Sequence, residues 1–465
     1  MYSRTQLGRV CQDLRVEETP WHPLIAAREA AGLSREQLAD RVRAAAARRG
    51  LRSGVDKSRV RKWETKGVRP DDQHQVYIAE ALGLPAPAPG GPLPWPYWLP
   101  GAGQPLLPDD IVALGPATTV TALREAFKAT MDHTRRRIVV SAVSSTALLT
   151  LAGTWAKPSH PAPAQPEPTY TAALFNGEEI DRLEQATALF TNRATEDRMR
   201  TIGVVEALLQ SVTDLLDERR HGAQGTARLH VLAAKLASEV GWHRFDLNRH
   251  AEAARFWIGG LHSTHELGDI DAGAGLLSDL AYQASWRNRP NTAADLLRRA
   301  LSRARHPVAQ SLLQLRLARA LAVLGDRQGT LRALAAADKL LSMPAADPAP
   351  SFCSWHSTAD LAVDTGQALL DLGDTRRAHQ LIREGQAELP AARIKTYGVF
   401  TAYRARSYLQ LGEPEKAAAA AAEALDSALR IGAPRCITLV RDLTPAFEAF
   451  PTAQGVPELL ARTAA

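Results

Sequence analysis

The 465-residue chain reads as an all-α protein: a compact N-terminal helical domain, Pro-rich linkers and a long C-terminal array of helical hairpins. Three observations carry that reading. Aromatics make up only 6% of the residues while alanine, leucine and arginine dominate, which favours packed helices over sandwiches or barrels. Prolines gather in two stretches whose density excludes helix or sheet interior. From Asn176 onward, short small-residue turns recur between apolar helices. The length is too great for one ordinary core, so two or three domains are expected. With 45% hydrophobic and 23% charged residues, wholesale disorder and collagen-like structure are excluded.

Residues 1 to 20 carry charges throughout and do not read as a signal peptide. Residues 22–84 form the first domain. Leu24, Ile25 and Ala27 begin a helix that Gly32 ends. Ser34 caps the next helix, Gln37 sits three residues on to complete a capping box, and Leu38, Ala39 and Val42 make its buried stripe. After an Ala- and Arg-rich excursion, Ala44 to Gly54, comes VDKSRVRKWE at 55–64, a third helix that Asp56 can cap. Val60 and Trp63 are three apart and face inward, so Lys57, Ser58, Arg59, Arg61 and Lys62 face out. A closing helix carries Val76, Ala79, Leu82 and Leu84.

The charge is local. The formal net charge is +6, yet residues 41 to 69 hold eleven Lys or Arg against only Asp56 and Glu64. This stretch is an electrostatic footprint for phosphate or, in an Arg-rich chain, a solvated helix face. A short helix presenting basic and hydroxyl side chains is what major-groove readout needs.

Residues 85–118 are a Pro-rich linker, with ten prolines by residue 116; Trp95, Tyr97 and Trp98 within it are candidates for docking on a neighbour. Segment 119–156 follows. It opens with an amphipathic helix, roughly Thr119 to His133, striped by Val120, Leu123, Phe127 and Met131. Arg135, Arg136 and Arg137 then precede an uncharged run over 138–156. Arginines before an apolar stretch fit a single-pass membrane span. Six hydroxyl residues in a run barely long enough favour a docked helix instead. Residues 157–175 are a second Pro-rich linker.

Residues 176–465 form the repeat domain. The turns Leu324-Gly325-Asp326, Leu372-Gly373-Asp374 and Leu411-Gly412-Glu413 mark its period, and Ala378 and Ala417 each lie five residues past a turn glycine. Paired helices at this spacing point to an α-solenoid, in which each hairpin buries its apolar face on the next. Five hairpins are expected, at 228–268, 271–305, 309–342, 353–389 and 394–431, with a helix pair before them (about 178–220) and a cap after (435–462). The alternative is a non-repeating bundle.

Two resemblances follow from these motifs. AAREAAGLSREQLA (26–39), VDKSRVRKWE (55–64), GVRP (67–70) and IAEALGLP (78–85) resemble a Cro/C1-type (XRE family) helix-turn-helix domain of the actinobacterial kind, apart from an insertion of roughly ten residues between the second and third helices. The resemblance implies that Arg28 pairs with Glu64 inside the domain, that Lys57, Ser58 and Lys62 face bases, and that Arg35, Arg59 and Arg61 lie nearer phosphates. Lys66 and Arg69 complete the DNA-binding set. EVGWHRFDLNRHAEAARFW (239–257), ALLDLGDTRRA (368–378) and YLQLGEPEKA (408–417) resemble the tetratricopeptide-like repeats (TPR) fused to such domains. Together they imply a cytoplasmic transcription regulator that binds double-stranded DNA as a homodimer. Its repeats would dimerise or take a peptide, small-molecule or protein ligand, as repeats of firmicute relatives take signalling peptides. The rival readings are a membrane-anchored sensor with an external repeat domain and a protein-interaction scaffold.

Other candidates are weaker. Trp355, His356, Asp360, Tyr397, Tyr403 and Arg404 could line a ligand groove or belong to the scaffold. His243, His250, His262 and His265 read as ordinary helix histidines, and Trp242, Phe245 and Trp257 as inter-helix packing. Cys11, Cys353 and Cys436 lack the spacing of a zinc site or disulfide framework. With no GxSxG, P-loop or GxGxxG, neither an enzyme nor a cofactor or metal site is expected.

Overall fold

The computed structural model describes residues 23–30, 33–65, 68–84, 95, 99, 111–136, 143–157, 177–191 and 195–464. All regular elements among them are helices, as the composition led us to expect. The chain divides into two compact units.

The first unit holds α1 (Pro23–Ala30), α2 (Arg35–Ala47), α3 (Lys57–Thr65) and α4 (Asp72–Ala81). Ser34 and Gln37 close the capping box at the start of α2. Asp71 caps α4 by accepting from the His74 N–H. Leu24, Leu38, Val42, Val60, Trp63 and Ile78 fill the core, each at most 1% exposed. Trp95 and Leu99 pack into the same core; Tyr97 and Trp98 lie outside the described residues.

The second unit carries the hairpins. A first pair, α7 (Gly177–Thr191) and α8 (Thr195–Glu218), precedes five more: α9 (Ala223–Asp246) with α10 (His250–Leu267), α11 (Ile270–Trp286) with α12 (Pro290–Leu301), α13 (Pro307–Val323) with α14 (Arg327–Leu341), α15 (Thr358–Asp371) with α16 (Thr375–Glu388), and α17 (Ile394–Leu411) with α18 (Pro414–Ile431). The cap is α19 (Pro434–Arg441), α20 (Thr444–Phe447) and α21 (Val456–Ala464). Helices pair within each hairpin and stack on the next, giving the repeat solenoid. Gly325, Gly373 and Gly412 take φ of 78°, 81° and 79°, the left-handed region that lets the chain reverse in so few residues. In the two upstream turns Asn248 and Asn288 fill that role at φ 60° and 54°. Asparagine tolerates this region better than other side chains, which is why those turns lack the glycine signature.

Two earlier helices belong with this account. α5 (Thr119–Arg136) lays Leu123 and Ala126 into the core of the first hairpins. Phe127 meets Phe256 edge-on at 5.3 Å. Glu266 of α10 accepts the N–H groups of Ala117, Thr118 and Thr119, tying down the start of α5. α6 (Ser145–Trp155) is the helical part of the uncharged run. Its eleven residues reach about 16 Å at 1.5 Å per residue, half of a bilayer core. No helix among the described residues is long and apolar enough to cross a membrane. Residues 138–142 of that run lie outside the described residues. The hydroxyls are accommodated because α6 docks on α12, burying Ala147, Leu148, Leu151 and Trp155 while Thr146 and Thr150 stay exposed.

Candidate functional site

In the N-terminal unit, α3 is pinned from behind by Val60 and Trp63, 0% and 1% exposed. Its outer face exposes Lys57, Ser58, Arg59, Arg61 and Lys62. Asp56 starts the helix by accepting the Arg59 N–H at 2.8 Å, and the Ser58 hydroxyl donates to the same carboxylate at 2.8 Å. These two bonds hold the Asp56 carboxyl below its ordinary range. The Ser58 hydroxyl is thus engaged locally.

The helix is locked to α1 by Glu64, whose side chain is wholly buried. Arg28 Nε donates to it at 2.7 Å and also gives a hydrogen bond to the Leu33 carbonyl at 2.8 Å. Arg35 pairs with the second oxygen of Glu64. Arg35, whose side chain stays partly exposed, is thus in an intramolecular ion pair. Arg48 and Arg49 both pair with Glu80, and Arg69 pairs with Asp72 at 2.8 Å. Lys66 lies outside the described residues. Among the DNA-facing candidates, the structure gathers Lys57, Arg59, Arg61 and Lys62 on one surface and turns Arg35 and Arg69 toward carboxylates.

Each of the six groove candidates is engaged by another side chain. Trp355 and Asp360 meet Arg393, whose guanidinium lies 5.6 Å over the Trp355 ring and forks onto Asp360 at 2.8 Å. Asp360 also caps α15 in a box with Ser357. His356 is buried and within 3.1 Å of the Ser311 hydroxyl. Tyr403 is buried beneath the Arg319 guanidinium at 5.3 Å. Tyr397 and Arg404 converge on Glu423, at 3.0 and 2.7 Å. Four of the six are therefore held in packing or capping contacts.

What sequence reasoning missed is the closure of the repeat domain on itself. Asp246, at the end of α9, is paired by Lys395 of α17 and by Arg435 of α19, the latter at 3.0 Å. Burial alone would raise the Asp246 carboxyl; the two cations outweigh it and hold it below its ordinary value. The Arg435 guanidinium also lies 4.8 Å over Phe245 and 4.9 Å over Trp286. Asn248 donates to Thr438 across the same seam at 3.2 Å. These partners are 149 to 190 residues apart in sequence, so no local spacing could reveal them. The aromatics around them, Trp242, Phe245, Trp257 and Tyr282, form a cluster with centroids 5.6 to 5.9 Å apart, the packing role expected of Trp242, Phe245 and Trp257.

Residues 24–85 match the model of the SP15 N-terminal domain family. No curated protein matches the chain. Among solved structures, the chain is similar to a Rap protein complexed with competence and sporulation factor: 14% identity, TM-score 0.39, covering 62% of this chain and 89% of that one. It is also similar to the APC/C hetero-tetramer Cut9-Hcn1: 12% identity, TM-score 0.29, covering 74% of this chain and 68% of that one. Among the described residues, no group of His, Cys, Asp or Glu could hold a metal ion. Cys353 and Cys436 are free and buried, and burial pushes the Cys353 thiol up to about 12.

Proposed function

We propose that this chain is an interaction scaffold built on helical repeats, tied to a small helical domain that contacts duplex DNA. The scaffold half rests on the stacked hairpins, which offer an extended surface to a protein or peptide partner and need no catalytic group. The DNA half rests on one observation: α3 shows four cations on its outer face while Val60 and Trp63 anchor its inner face. A helix so held can lie in a major groove, with the outward side chains reaching base edges and phosphates. The resemblance of 26–85 to Cro/C1-type domains supports the same role, as does the Arg28–Glu64 pair. On this reading the protein is a transcription regulator. A partner bound to the repeats in one state of a homodimer would shift its affinity for paired half-sites.

A narrower reading, a scaffold without operator specificity, is favoured by the internal engagement of the other basic residues. Arg35, Arg48, Arg49 and Arg69 are all in ion pairs with the domain's own carboxylates. Binding-site selection from random duplexes with the full chain separates the two. An enriched motif supports the regulator. Retention that depends on salt alone, with no motif, leaves the scaffold.

A further inference from the structure

We infer that the insertion between α2 and α3 carries a second contact to duplex DNA: Arg52, on a pinned loop beside α3, pairs with a backbone phosphate. The assignment rests on the reading of α3 as a groove helix. It adds a residue from the insertion that sets this chain apart from Cro/C1-type domains. The loop, residues 48–55, is fastened at several points. Gly50 takes φ of 72°, and the Leu51 N–H closes the turn on the Ala46 carbonyl at 3.1 Å. Arg48 and Arg49 pair with Glu80 of α4. Arg43 of α2 donates to the Val55 carbonyl at 2.6 Å. Ser53 Oγ lies 3.3 Å from His74 Nε2, and His74 Nδ1 lies 2.8 Å from the Asp71 carboxylate, which bridges the loop to the start of α4. A loop held this way is ordered before any ligand arrives, so a contact made from it loses little conformational freedom.

The same bridges place Arg52 beside the outer face of α3. Burial would raise the Asp71 carboxyl, but hydrogen bonds from His74 and the nearby charge of Arg59 hold it below its ordinary range. Contacts thus pass from Ser53 through His74 and Asp71 to Arg59, and Arg52 is the neighbour of Ser53. Arg52 also lies five residues before Lys57, no more than about 18 Å away even for an extended chain. The major groove is about 12 Å wide, so a helix seated in it brings Arg52 within reach of the flanking backbone. Of the three arginines at 48–52, Arg48 and Arg49 are engaged by Glu80 and would have to break those pairs to meet a phosphate. Arg52 is exposed and has no ion pair or hydrogen bond among the described residues. A free guanidinium that meets a duplex phosphate displaces a counterion from the DNA, and that release drives association.

The test uses the full chain and fluorescence anisotropy on two labelled duplexes of unrelated sequence, over a series of potassium chloride concentrations. Arg52→Ala should weaken both duplexes by the same factor, about fivefold near 0.1 M salt, and reduce the slope of log affinity against log salt by about 0.9. Arg52→Lys should restore the parent slope, because a phosphate accepts either cation. Arg332→Ala, which removes an exposed cation of α14, should leave the slope unchanged. Circular dichroism checks that each variant is folded. A parent slope in folded Arg52→Ala, a loss confined to one duplex, no restoration by Arg52→Lys, or an equal drop in Arg332→Ala would overturn the assignment and leave the groove reading of α3 in place. Absence of binding to either duplex by the parent chain at every salt concentration would remove the groove reading and the assignment together.

Discussion

Glu64 is one carboxylate serving two guanidiniums, and its burial decides what its loss costs. Glu64→Gln would leave Arg28 buried beside a neutral amide. Breaking a buried pair from one side costs about 3 kcal/mol or more. We expect urea unfolding followed by tryptophan fluorescence to show the N-terminal transition at clearly lower denaturant. An unchanged transition would mean that Arg28 finds another partner. Gly241 offers a second test at this scale. A Cβ there would run into the Trp257 indole ring, a member of the aromatic cluster. Gly241→Ala should therefore destabilise the repeat domain by about 2 kcal/mol through overpacking, despite the better helix propensity of alanine. A calorimetric Tm equal to that of the parent would refute this.

At the scale of one element, α3 is informative because its two faces are so different. If it enters a groove, Lys57→Ala with Ser58→Ala should reduce discrimination between the selected site and random duplex. Arg59→Ala should weaken both about equally. Titrations of each variant on the two duplexes decide it, and equal losses in both variants would contradict those roles. Ser58 adds a structural constraint that the spacing did not show: its hydroxyl already serves Asp56. α6 makes the complementary point. Its apolar composition fits either a membrane or a protein surface, and only its length and its docking on α12 choose between them.

At the scale of the repeat domain, Asp246 joins regions that are distant in sequence. Asp246→Asn removes the charge facing both Lys395 and Arg435. We expect amide hydrogen exchange to quicken in α19 and at the ends of α9 and α17 while α13 keeps its protection. Uniform change, or none, would show that the seam is not held there. Acid should act more broadly. Burial pushes His250, His262 and His356 down to about 4, against about 6.5 in an unfolded chain. The unfolded state thus binds more protons below pH 6.5, so stability is full above that pH and falls as pH drops toward 4. Each histidine contributes on the order of 1 kcal/mol at pH 5.5. A Tm constant between pH 7 and 5 would contradict it.

The helices, caps and turns were legible because their causes are local. Ser34 and Gln37 cap over one turn, Val60 and Trp63 share a face by helical spacing, and Gly325, Gly373 and Gly412 mark reversals that only a left-handed residue permits. The turns at Asn248 and Asn288 were fainter, since asparagine reaches the same backbone region with a less distinctive residue. By itself, then, the sequence determined an all-helical chain with a basic α3 and a repeat array. Tertiary structure alone decided that α6 packs on α12, that Arg35 pairs with Glu64, and that the ends of α9, α17 and α19 meet at Asp246. The physical reason is that ion pairs and cavities form between groups brought together by packing, and packing acts across separations that no local pattern encodes.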